Sequence, residues 1–349
     1  MTTSVEQVRQ APPQPFSARE RWVLLAASFW LVAGLQLDAY AHATTPELET
    51  FWTPWHGVLY SGIAVSGLTL VWIMRSRLPG IPTYRDVLAL PNALRLPLAG
   101  MASLLVGGGV DTLWHNLFGI ERDMEIFVSP SHEFIILGMV LVAMGPALML
   151  ATSSGRTLSA GGAWLLGLST LLATLPVHIY TLHASAIGFR HIGSGAQRFP
   201  VFSPDSQLIH GYVFSTVLLL LPLIMIGRRW RIPRGLPGAT IAVLALLMHL
   251  MFDSEDSWWP AVTLAVTVLV LEAAFRIANR LVRLSPNARW TLFGLIAPPA
   301  AWGTVLAAGT VIEGSVGFNI HIITGLLTLT ALTGAATVLV TRSVQHLPE

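Results

Sequence analysis

The chain has 349 residues, 53% of them hydrophobic and only 11% charged, at a mean hydropathy of +0.65. Soluble domains carry about a quarter charged residues, so this composition excludes a water-soluble enzyme fold, a nucleic-acid binder and a disordered chain. All 20 basic residues are Arg, the net charge is only +2, and Cys is absent, which removes disulfides and thiolate metal sites.

A hydrocarbon core about 30 Å thick needs roughly 20 apolar residues per crossing helix. That ruler predicts ten spans, near 21–41, 56–74, 96–115, 132–152, 161–183, 207–227, 237–253, 259–276, 290–311 and 319–340. The seventh is the shortest and couples closely to the eighth. Residues 1–20 are Pro- and Gln-rich and read as a disordered tail, 21–343 as one transmembrane domain, and 344–349 as a second short tail. The fold class is therefore an all-α polytopic helix bundle in the lipid bilayer.

Arginine placement orients it. Seventeen Arg fall before the first span, after the tenth, or in alternate loops; only Arg122, Arg190 and Arg198 fall on the other side. The positive-inside rule then puts both termini in the cytoplasm, a bacterial cytoplasmic membrane being the expected location. Ala39-Tyr40-Ala41 resembles a signal-peptidase site, but cleavage there would discard Asp38, so the first span is expected to stay as an anchor.

With that topology, ten of the eleven His lie at outer helix ends or in outer loops. Polar groups collect at helix ends because hydrocarbon is costly for them. That accounts for ends but not for one side only.

The spacing is sharper. Asp38 and His42 stand i, i+4 on one helix face, and His56 opens the next span; Asp111 and His115 repeat the i, i+4 pair, and His132 opens the span after. Both stretches read D-x3-H…F-x-[ST]-P-x-H, with 13 and 16 residues between the two His. This is the pattern of an internal hairpin repeat, over 21–75 and 96–152. Gly107, Gly108 and Gly109 precede Asp111 and are expected to allow close helix packing, and local unwinding beside the site.

Later hairpins keep only the theme: His178 and His183 close the fifth span, about 140° apart on a helix, and His210 follows Phe202-Ser203-Pro204. His249 and Asp253 reverse the order, and Met248 and Met251 beside them would suit Cu(I). Glu272 and Arg276, one turn apart, read as a plain ion pair.

A His and an Asp one turn apart, met by a second His from the next helix, offer three ligands to one ion. Such a set leaves positions open for oxygen, water or substrate, and iron, copper and zinc all accept it. The candidate ligands are Asp38, His42, His56, Asp111, His115 and His132, with His178, His183 and His210 behind them. Alternatively each Asp holds its His in one tautomer.

D-x3-H followed about a dozen residues later by His is similar to the metal-ligand motif in the C subunit of copper-dependent membrane monooxygenases, the methane and ammonia oxidisers. The resemblance covers roughly 20 residues per copy, with a longer His spacing and a duplication foreign to that pattern. It implies copper held by Asp38, His42 and His56, or by Asp111, His115 and His132. Asp111-Thr-Leu-Trp114-His115-Asn-Leu-Phe118-Gly119 with Ser129-Pro130-Ser-His132 also resembles bacterial polytopic membrane proteins of unassigned function, which implies a family without an activity.

Three expectations follow. The first is a copper- or iron-dependent membrane oxidoreductase or its metal-binding subunit, with extracytoplasmic or membrane partner subunits. The second is copper or haem handling for a respiratory enzyme; the third is a transporter or sensor using the same His and Asp. Plain helix-end hydrogen bonding is the structural alternative to all three.

Overall fold

A computed structural model describes residues 15–45, 53–78, 80–119, 126–153, 155–187, 204–250, 258–282 and 284–343, the side chains of 42, 43, 204–208, 342 and 343 apart. Within them the chain forms α1 (Ala18–Thr44), α2 (Pro54–Arg75), α3 (Tyr84–Leu88), α4 (Asn92–Phe118), α5 (Pro130–Ala151) and α6 (Ala160–Tyr180). A 3-10 turn (Leu182–Ala184) follows, then α7 (Pro204–Arg229), α8 (Leu236–His249), α9 (Trp259–Leu281), α10 (Pro286–Glu313) and α11 (Ile320–Ser343). Among the described residues there is no strand, and nine helices are long and apolar enough to cross a membrane. The chain is an all-helical, multi-pass membrane protein.

The expected seventh span is the exception. It runs as a helix only over Leu236–His249, 14 residues and about 21 Å, and 251–257 lie outside the described residues. Gly235, at φ 81°, marks its start. Glu272 of α9 accepts from the Gly235 and Gly238 amides at 2.7 Å each, so it caps the first turn of α8 as well as pairing with Arg276. Near the other end Gln36 Nε2 of α1 donates to the Leu247 carbonyl. A helix held at both ends by protein, and packed on α6 and α9, does not need the full length demanded of a lipid-facing span.

α1, α2, α4 and α5 form a four-helix bundle in which α1 packs on α2 and α5, and α4 on α2 and α5. At one end Ser17 and Glu20 make a capping box for α1, and Glu20 also takes Arg77 Nη1 at 2.6 Å, just beyond the end of α2. Both hairpins close through glycine at matching places. Gly34, four residues before Asp38, abuts the Leu59 backbone, and Gly107, four before Asp111, abuts that of Ile135. Gly62, six after His56, meets Leu31; Gly138, six after His132, meets Leu104. A Cβ on any of the four would sit 2.6–2.8 Å from a neighbouring heavy atom. Close backbone approach of this kind draws the paired helix ends, and the polar residues on them, together.

The remaining helices continue from α6, through α8 and α9 to α10, then α11 and α7. Trp302 of α10 is buried there and donates Nε1–H to Thr216 Oγ1 of α7 at 3.0 Å.

Candidate metal centre

The last turns of α1 and α4 and the first turns of α2 and α5 meet at one end of the four-helix bundle. Thr53 caps α2 by accepting from His56 N at 3.1 Å, with Pro54 at the first position, which fixes where the His56 ring emerges. Pro130 plays the same part in α5, but Ser129 is turned away from capping. Its Oγ pairs with Ser131 Oγ at 2.7 Å, and Ser131 donates to Asp111 Oδ1 at 3.0 Å.

Asp111 is the centre of the cluster. His115 Nε2 and His132 Nε2 each lie 3.4 Å from its Oδ1, and Tyr60 Oη approaches Oδ2 at 3.5 Å. One ligand atom from each of Asp111, His115 and His132 falls within 4.8 Å of the other two. The far ring nitrogens are anchored on backbone: His132 Nδ1 to the Ile126 carbonyl at 2.9 Å and His115 Nδ1 to that of Gly119 at 3.3 Å. A carbonyl oxygen only accepts, so Nδ1 carries the proton and a neutral ring turns its Nε2 lone pair toward the carboxylate. The side chains of Asp111, His115 and His132 are 5%, 7% and 24% exposed, leaving His132 as the open edge.

The first hairpin supplies a matching pair. His56 Nε2 is 3.4 Å from Asp38 Oδ1, both largely buried. Asp38 lies within electrostatic reach of Asp111, His132 and His115 as well, so the two hairpins meet at one polar cluster. Tyr60 lies between them, its ring 6.3 Å from that of His56 and its edge against Gly108. Of the three consecutive glycines, Gly107 and Gly108 serve close packing, Gly109 faces open space, and α4 stays wound through all three.

The other candidates stand elsewhere. His178, on α6, is 1% exposed and its Nδ1 has no hydrogen-bond partner among the described residues. His183 sits in the 3-10 turn with its ring 4.9 Å from that of Phe127, and burial holds its imidazole below the ordinary value. His210 is exposed on α7, and His249 packs against Trp258 at 4.4 Å. Met248 is fully buried in the core, while Met251 and Asp253 lie outside the described residues, as does the side chain of His42. Tyr60 and Ser131 are the members that spacing alone did not mark.

Fold and site together define a multi-pass membrane protein with a two-His, one-carboxylate cluster in one helical hairpin, beside a His–Asp pair in the other. The chain matches no protein-family model, no curated protein and no solved structure.

Proposed function

We propose that Asp111, His115 and His132 bind a divalent first-row metal ion, and that the protein is a metal-dependent oxidoreductase or the metal-binding subunit of one. The observation that carries this is the donor geometry. Two Nε2 atoms stand 3.4 Å from one carboxylate oxygen, with their protons committed to backbone carbonyls on the far side. Lone pairs facing one another at that distance need a cation between them or a second proton on each ring. Ligands about 2.0–2.1 Å from one ion lie about 2.9–3.4 Å apart, from octahedral to tetrahedral geometry, so the two 3.4 Å nitrogen–oxygen separations suit a shared metal.

The donor set favours Fe(II) or Cu(II). Imidazole and carboxylate are harder ligands than thiolate or thioether, and two His with one carboxylate leave coordination positions open. Bound there, the metal supplies redox chemistry; the chain's own groups hold it and position its surroundings. Ser131 fixes Asp111, the two carbonyls fix the rings, and Tyr60 can hold or give a proton at Asp111 Oδ2. Asp38 and His56 complete the centre from the first hairpin. We read the two hairpins as copies of one unit, because the matching Asp, His and Gly positions recur together. The resemblance to the C subunit of copper-dependent membrane monooxygenases supports the same reading, with the cluster on the outer face of a bacterial cytoplasmic membrane and both termini inside.

The test loads the full chain in nanodiscs with Fe(II) without oxygen, or with Cu(II), and records electron paramagnetic resonance (for iron, of the nitrosyl adduct). Coupling to two imidazole nitrogens, lost in His115→Ala/His132→Ala, is the expected result. A Tyr60→Phe variant should keep the metal and lose at least tenfold in reductant-driven oxygen uptake. Equal metal binding by wild type and the double variant would overturn the assignment.

A further inference from the structure

A second feature lies away from the His–Asp cluster. A cavity of about 720 Å³ opens among α7, α8, α9 and α10. Its walls are apolar, with Leu223 from α7, Ile241 from α8, Val268 from α9 and Ala301 from α10. At its floor Trp302 Nε1 donates to Thr216 Oγ1, which itself donates to the Tyr212 carbonyl, so neither donor is left to recognise a ligand there. Leu220, of the small cluster with Ile224 and Val338, lines the cavity, as do Trp302 and Leu264 of the main core. Packed protein interiors hold few voids larger than a water molecule, and a space of several hundred Å³ is of the size that bound ligands occupy.

The mouth has the opposite character. Arg156, Arg231 and Arg289 stand there, all three exposed, and none forms an ion pair among the described residues. Arg276 is also at the mouth but is taken up by Glu272 and the Pro233 carbonyl. Trp290 and Phe293 form the rim, edge to face at 5.9 Å, and Trp290 passes over Gly227, where a Cβ would sit 2.1 Å from its ring. Aromatic side chains beside Arg mark the level where acyl chain gives way to headgroup. Arg289 gives its Nε to the Leu284 carbonyl, so an apolar shaft opens among three exposed guanidiniums with no carboxylate partner among the described residues, a combination complementary to an anionic lipid.

We propose that this cavity binds a membrane lipid with an anionic phosphate headgroup, an acyl chain occupying the shaft and the phosphate lying among Arg156, Arg231 and Arg289. Guanidinium binds phosphate through a fixed fork of donors. A zwitterionic headgroup brings a compensating positive charge to the same place and loses that advantage. Each arginine near an anionic lipid is worth roughly fivefold in affinity.

The test uses the full chain in detergent, stripped of lipid, and native mass spectrometry with phosphatidylglycerol or phosphatidylcholine at equal concentration. Phosphatidylglycerol should be retained at least tenfold more, and Arg231→Gln/Arg289→Gln should remove most of that preference. A phosphatidylglycerol carrying a diazirine in its acyl chain should label α7, α9 and α10 inside the shaft. Ala301→Leu, which narrows the shaft without touching the mouth, should reduce that labelling. Its thermal unfolding and metal content serve as the folding control. Equal retention of both lipids would overturn the proposal, as would labelling confined to the outer surface of the bundle. Competition by inorganic phosphate that leaves no acyl label would assign the arginines to a free anion and equally overturn it.

Discussion

His56 Nε2 stands 3.4 Å from Asp38 Oδ1, the separation that His132 Nε2 keeps from Asp111 Oδ1 in the neighbouring hairpin. In both cases the His opens one helix and the Asp lies near the end of its partner. Because Asp38 is also within electrostatic reach of the second pair, changes in one hairpin should register in the other. Asp111→Ala should abolish metal binding. Asp38→Asn should weaken it by about 10–100-fold, the effect expected of a group that supports a ligand. Two independent sites would instead give half-occupancy in each variant, and metal titration of both distinguishes the outcomes.

The glycine contacts make a second prediction. Gly62→Ala brings a Cβ to 2.7 Å from Leu31 Cα, and Gly138→Ala to 2.6 Å from the Gly100 carbonyl, both backbone atoms that cannot rotate away. Each should cost about 1–3 kcal/mol of stability and widen its hairpin. Gly57→Ala, at an exposed position of α2 with nothing within 4 Å, should be neutral or gain up to about 1 kcal/mol from helix propensity. Thermal unfolding in one detergent orders the three; equal losses would refute the contact argument.

Trp302 and Thr216 provide a third. Both are essentially buried, and the indole N–H has Thr216 Oγ1 as its partner. Thr216→Val keeps the shape and strands that donor, at a cost of about 1–3 kcal/mol. Thr216→Ser should retain most of the stability. If the two variants unfold alike, the hydrogen bond is not what holds α7 to α10.

A fourth concerns pH. Burial holds the His183 imidazole below its ordinary value of 6.5, so the unfolded chain takes up this proton before the folded one does. Stability is therefore fully present above about pH 6.5 and declines as the pH falls from there through the lowered folded value. His183→Phe should flatten that part of the pH–stability curve; an unchanged slope would show that His183 does not contribute to it.

How much of this was readable beforehand differs from residue to residue. The i, i+4 pair Asp111–His115 and the arrival of His132 from the next helix follow from spacing alone, since helix periodicity fixes which side chains share a face. Tyr60 follows His56 by the same four residues and could have been found that way, but an aromatic in an apolar run reads first as packing. The glycines at fixed distances from each Asp and His were equally present in the sequence. Their meaning appears only when Gly34 is seen against Leu59 and Gly107 against Ile135. The ten-span expectation counted apolar residues and so could not see that α8 stops at His249, held by Glu272 and Gln36 from other helices. The apolar shaft was invisible for a related reason: Leu223, Val268 and Ala301 look like ordinary core residues until the helices fail to close around them.

The measurement that bears most directly on the central claim is metal analysis of the full chain, purified without chelators, beside His115→Ala/His132→Ala. The account predicts stoichiometric iron or copper in the wild type, no haem absorption, and loss of the metal in the variant. The same metal content in both proteins, or none in either after anaerobic loading, would contradict it.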